Sequence, residues 1–100
     1  MEANKSVSAG VASVNLSGPL TFDDREGMRE LLTMTQDADV SSVSYDLGGL
    51  TAIDSAGIGM LLMANDRFSR AGKSFSIKGA TGDVKSSLDL AKVNDLIPSG

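Results

Sequence analysis

The chain contains no cysteine and no histidine. Without thiols there is no disulfide frame, thiolate metal site or thiol nucleophile, and a small chain that does without such staples fits a reducing compartment, so the cytoplasm is expected. Without imidazole it lacks the side chain that most often serves as general base and as metal ligand near neutral pH, which puts every enzymatic reading at a disadvantage. Basic residues are also few: nine stand against thirteen acidic ones, for a net charge of -4. No stretch aligns Lys and Arg against consecutive phosphates, so nucleic acid is not an expected ligand. Long apolar runs are missing as well. The longest small or apolar run, Ala56 to Ala64, covers nine residues, whereas a bilayer span needs about twenty, so no membrane insertion is expected. The opening "MEANKSVSAGVASVNLSG" carries a single lysine and no continuous apolar block, and implies no secretion signal.

What is present suits one domain over residues 1–100, with 41% hydrophobic residues to close one core. Val7 and Ala9, then Val11, Val14 and Leu16, alternate with small polar residues and predict exposed or edge strands near 6–9 and 11–17, ending at Gly18-Pro19. Thr21 is placed to cap a helix over 22–36, Asp23 and Asp24 suit its positive end, and Met28, Leu31 and Leu32 recur at helical spacing. Val43, Tyr45 and Leu47 predict a strand ending at Gly48-Gly49. Leu61, Leu62 and Phe68, widened by Met60, Met63 and Ala64, predict a largely buried helix with Gly72 as its cap. The methionines read as core filler. Phe75 and Ile77 mark a further strand; Thr81 caps a last helix with Val84, Leu88 and Ala91 on one face, and Val93, Leu96 and Ile97 finish the chain. Strands alternating with helices from residue 38 onward imply an α/β fold with right-handed crossovers and helices mainly on one face of the sheet.

Three sequence patterns suggest chemistry that their surroundings do not support. "AGKS" at 71–74 lacks the earlier glycine of a phosphate loop, having Arg67 in its place, and it leaves a helix for a strand where a phosphate cradle does the reverse. Ser55 lacks the glycine two places earlier that a nucleophile elbow requires, and Lys73, Lys78, Lys85 and Lys92 show no patterned link to it as a base. Asp23, Asp24, Asp46 and Asp54 are explained as caps and strand ends, and no metal is expected.

The informative stretch is "LTAIDSAGIG", residues 50–59. Asp54 and Ser55 both suit a helix N-cap, yet a cap needs one of them, and Gly57 and Gly59 each weaken a helix by about 1 kcal/mol relative to alanine. Glycines in a first turn leave backbone open to close approach by another molecule, and a hydroxyl there sits where amides and the helix dipole favour an anion. A phosphoryl group on Ser55 would add about -1.5 to -2 charges beside Asp54, which suggests a switch.

"LTAIDSAGIGMLL" after the strand "SVSYDL", with "LSGPL" upstream, resembles the STAS domain of bacterial anti-sigma factor antagonists over nearly the whole chain. The resemblance implies a small mixed sheet of four to five strands with three to four helices, no catalysis and no cofactor. It implies that Ser55 is phosphorylated by an anti-sigma factor that is also a serine kinase with a histidine-kinase-like ATPase fold, and that a PPM-type phosphatase reverses the mark. The unmodified form would bind the kinase and free its client; the phosphorylated form would let go. The partner surface so implied takes in Thr21, Asp23, Asp24, Asp54, Ser55, Ala56, Gly57, Ile58 and Gly59. Thr21 stands where the family commonly has an aspartate, so either Asp23 or Asp24 supplies that carboxylate or the partner surface differs. Ala56, where many relatives have a hydroxyl, leaves Ser55 as the acceptor. The alternative implied by the same resemblance is an accessory subunit of an ABC-type lipid transporter, which braces an ATPase and needs no phosphorylation.

Overall fold

The structure, a computed structural model, describes residues 1–98. Strands β1 (Glu2–Ser8), β2 (Val11–Leu20), β3 (Ser42–Ile53) and β4 (Ser74–Lys78) form one sheet in sequence order. The β1–β2 pair is antiparallel, while β2–β3 and β3–β4 are parallel, so the sheet is mixed as expected. Helix α1 (Arg25–Leu31) lies in the first parallel connection, α2 (Ser55–Arg70) in the second, and α3 (Gly82–Leu90) follows β4. Alternation decides which sheet face is covered: Ala12, Val14 and Leu16 of β2, Val43, Tyr45 and Leu47 of β3, and Phe75 and Ile77 of β4 are buried. The opposite face is polar, with Ser13, Ser44 and Ser76 side by side in register. From the helices Met28, Leu61, Ala64, Phe68, Val84 and Leu88 complete the core.

Several element boundaries differ from the pattern reading. The first strand covers 2–8, and Ala9 belongs to a two-residue turn with Gly10, both at positive φ (52° and 82°), which suits the twist of a tight hairpin. Strand β2 is internal and continues past Gly18-Pro19 to Leu20, absorbing that pair at a register shift. Strand β3 likewise continues through Gly48-Gly49 to Ile53, because the glycine pair accompanies a shift in its pairing with β2. The helix expected over 22–36 is three pieces: a 3-10 turn at Phe22–Asp24, α1, and a second 3-10 turn at Leu32–Gln36. In the last piece Thr33 and Thr35 hydroxyls donate to the carbonyls three residues back, at 2.8 Å each, which favours the tighter winding. Ala91 ends α3 exposed and off its buried face, and Leu96 is exposed while Val93 and Ile97 are buried. The Ile77 N–H donates to the Pro98 carbonyl at 3.1 Å, so the chain end partly covers the free edge of β4.

Helix α2 is buried along one face, not all round. Gly57, Leu61, Ala64 and Phe68 are buried, Met60 and Leu62 are half-buried, and Met63 is 50% exposed. The reading of the methionines as core filler therefore holds for Met28 and Met34 and fails for Met63. At the far end Gly72 has a positive φ and the Lys73 N–H returns to the Phe68 carbonyl at 2.9 Å, the expected helix stop.

Candidate functional site

Because β2 and β3 are parallel neighbours with Leu20 opposite Ile53, the loops that leave them start side by side at the carboxyl edge of the sheet. Thr21–Asp24 and Asp54–Ser55 are thereby brought together although thirty-odd positions separate them. In open α/β sheets this edge is where binding sites form.

Asp54 holds the junction. Its Oδ1 accepts from the Gly57 N–H at 2.8 Å, which caps α2, and its Oδ2 accepts from the Phe22 N–H at 3.2 Å, which ties down the neighbouring loop. The Asp54 N–H in turn donates to the Leu20 carbonyl at 3.2 Å. With the cap supplied by Asp54, the hydroxyl of Ser55 is not required for it. Ser55 is the first residue of α2 and is exposed.

The two glycines have different reasons. A Cβ on Gly57 would lie 2.5 Å from the Leu20 carbonyl oxygen and 2.8 Å from Ile53 Cγ1, so glycine there admits the strand end beneath the helix. Gly57 is buried, and the close approach that its glycine admits is that of the chain's own strand end. A Cβ on Gly59 would meet nothing within 4 Å, and Gly59 is exposed. Ala56 and Ile58 are half-buried.

The two acidic residues of the first loop also separate. Asp24 Oδ2 accepts from the Thr21 N–H at 2.9 Å, and Oδ1 accepts from the Met1 amino group at 3.0 Å. The Thr21 N–H, with the Met1 ammonium beyond it, holds the Asp24 carboxyl below the ordinary carboxylate range. Asp24 is thus engaged in shaping the loop, while Asp23 is exposed. Thr21 is half-buried and is the N-cap of the 3-10 turn at Phe22–Asp24, not of α1, whose N-cap is Asp24.

Sequence reasoning missed Phe22 and Arg25. The Phe22 ring is 58% exposed and carries the Arg25 guanidinium 4.4 Å above its centroid, with Arg25 also donating to the Phe22 carbonyl at 3.2 Å. The signal lay in "TFDDR": Phe22 has polar residues three and four positions on, so it is off the apolar stripe of Met28, Leu31 and Leu32.

The other patterns have structural roles. Lys73 of "AGKS" donates to the carbonyls of Asp37 (2.7 Å) and Val40 (2.5 Å), joining the end of α2 to the loop before β3. Asp46 accepts from the Gly48 N–H at 2.9 Å. Among the described residues no three His, Cys, Asp or Glu side chains are grouped to hold a metal ion, and no helix is long and apolar enough to cross a membrane.

Comparison with known proteins adds three solved structures of the same fold. An anti-sigma factor antagonist from Mycobacterium paratuberculosis superposes with a TM-score of 0.84 at 16% identity, over 98% of this chain and 83% of that one. The phosphorylated form of the Bacillus cell fate determinant SpoIIAA gives 0.74 at 14% identity, over 99% and 91%. The STAS domain of a SulP transporter from Vibrio cholerae gives 0.76 at 20% identity, over 92% and 71%. No curated protein sequence matches. The family model described as Mlab, STAS domain, matches residues 4–98, nearly the whole chain, and with the mixed sheet and the Asp-Ser helix start in place, the protein belongs to the STAS-domain family.

Proposed function

We propose that the protein is a non-catalytic regulatory binding module, an anti-sigma factor antagonist switched by phosphorylation of Ser55. The observation that carries this reading is an exposed serine at the first position of α2 beside a cap already filled by Asp54. The unmodified surface around Asp23, Asp54, Ser55 and Gly59 docks on an anti-sigma factor that is also a serine kinase, and the kinase's client is released. Phosphorylation adds about -1.5 to -2 charges next to Asp54, on a surface rather than in the core, so affinity changes without refolding. Like charges brought together at an interface cost several kcal/mol, and each 1.4 kcal/mol is tenfold in affinity, so a loss of about a hundredfold or more is expected. A PPM-type phosphatase restores the binding form.

The test is incubation with ATP and the candidate kinase encoded nearby, followed by mass analysis, with one added phosphate expected on Ser55. Ser55→Ala should keep kinase binding and Ser55→Asp should weaken it; equal affinities would refute the charge mechanism. A second reading is an accessory subunit that braces the ATPase of an ABC-type lipid transporter; the matching family model is described as Mlab, STAS domain, and the fold also occurs as the STAS domain of a SulP transporter. No phosphate on Ser55 together with stable copurification with an ABC ATPase would favour it.

A further inference from the structure

All four arginines of this acidic chain, Arg25, Arg29, Arg67 and Arg70, line one groove between α1 and α2. The groove has two compartments of about 290 and 450 Å³, which share Arg29, Leu32 and Arg67 and so run into one another. Its floor is apolar and soft: Met28, Leu32, Met60 and Met63, the last half exposed. Glu30, on the other side of α1, lines a different hollow with Gly27 and Leu31, so its carboxylate is turned away from Arg25 and Arg29. Arg70 pairs with Asp66 at 3.0 Å and Arg25 sits over Phe22, whereas Arg29 and Arg67 have no salt bridge among the described residues.

From this segregation of charge we infer that the groove is a docking site for an acidic amphipathic helix of a partner protein. Guanidinium groups present planar forks that match carboxylates, and placed on both rims they would hold Asp or Glu flanking an apolar stripe. Methionine side chains adapt to varied apolar anchors, which suits exposed Met63 and half-buried Met60 at a site where a core would use branched residues. The α2 side runs from Met60 to Arg70, about 15 Å at 1.5 Å per residue, long enough for between two and three turns of an incoming helix. A membrane surface suits this site less, because the chain's net charge of -4 opposes long-range attraction to anionic lipid and the apolar floor is recessed between two helices. The inference is independent of Ser55 phosphorylation.

The test uses the full chain to select from a displayed library of helix-forming peptides of about 16 residues. Enriched peptides should carry Leu, Ile or Phe at i, i+3, i+4 and i+7 with Asp or Glu on both flanks, and should shift the methyl resonances of Met28, Met60 and Met63. Arg29→Glu with Arg67→Glu should weaken them by roughly tenfold or more, and Arg29→Gln with Arg67→Gln should weaken them less, with an unchanged core methyl spectrum showing that both variants fold. Ser55→Asp should bind them as the unmodified chain does. Enrichment of neutral or basic peptides, indifference to the arginine substitutions, loss of binding in Ser55→Asp, or binding to phosphatidylglycerol vesicles with no peptide selected would each overturn the inference.

Discussion

Alanine at position 57 and alanine at position 59 apply one perturbation, an added methyl, to two glycines of the same helix. At Gly59 the methyl enters open space, so the variant keeps the full advantage of alanine over glycine in a helix, about 1 kcal/mol. For a chain of this size that raises the melting temperature by about 4–8 °C. At Gly57 the same advantage is opposed by contacts of 2.5 Å to the Leu20 carbonyl, which is backbone held in β2, and 2.8 Å to Ile53 Cγ1 at the end of β3. Forcing a methyl into packed structure costs about 1–3 kcal/mol, so Gly57→Ala should be less stable than the parent by up to about 2 kcal/mol. Urea unfolding followed by circular dichroism measures both, with unchanged slopes showing that the native and unfolded states are comparable. Equal stability of the two variants would refute the close approach of α2 to the end of β2. Gly59→Ala also separates folding from contact: if it is more stable yet binds the kinase less tightly, Gly59 lies where the partner's backbone comes close.

Tyr45 is buried, its hydroxyl has no hydrogen-bond partner among the described residues, and burial raises its pKa well above the ordinary tyrosine value. Its ring stands edge-on to Phe75 at 4.8 Å, a contact phenylalanine keeps, so Tyr45→Phe should be more stable by about 1 kcal/mol in the same urea assay; destabilisation would indicate a partner for the hydroxyl. Asp54→Ala loses the α2 cap and the tie to Phe22 and should lower stability by about 1–2 kcal/mol, while Asp54→Asn should lose less; thermal unfolding of both variants checks the order. The lowered Asp24 pKa means that its stabilising contribution is complete above the ordinary carboxylate value of about 3.9 and is lost as pH falls through the lower folded value. Asp24→Asn should therefore flatten the stability profile in that acid range, and identical profiles would remove the bonds to Thr21 and Met1 as its cause.

Much of the site was legible because its signals are local. A short oxygen side chain before an apolar helical stripe marks an N-cap wherever the chain goes afterwards, and Asp54 occupies that position for α2, whereas Thr21 caps only the 3-10 turn at Phe22–Asp24 and Asp24 stands at the start of α1. Buried alternation was readable in Val43-Tyr45-Leu47 and Phe75-Ile77 for the same reason, since a pleated strand sends every second side chain to the core. The glycine pairs misled because glycine marks both turns and bulges; only a paired neighbour strand turns Gly48-Gly49 from an end into an irregularity within β3.

What the amino-acid order determined alone was the succession of elements, the polarity of their faces and the presence of one hydroxyl beyond what a helix cap uses. Tertiary structure decided which distant segments meet. Parallel pairing of β2 with β3 sets Phe22 against Asp54, closes Gly57 over Leu20 while leaving Gly59 open, and the packing of α1 along α2 gathers arginines forty residues apart around exposed Met63. Periodicity is a property of neighbours along the chain, whereas these contacts depend on register and helix placement, which are set only when the sheet and its covering layer bury their apolar faces together.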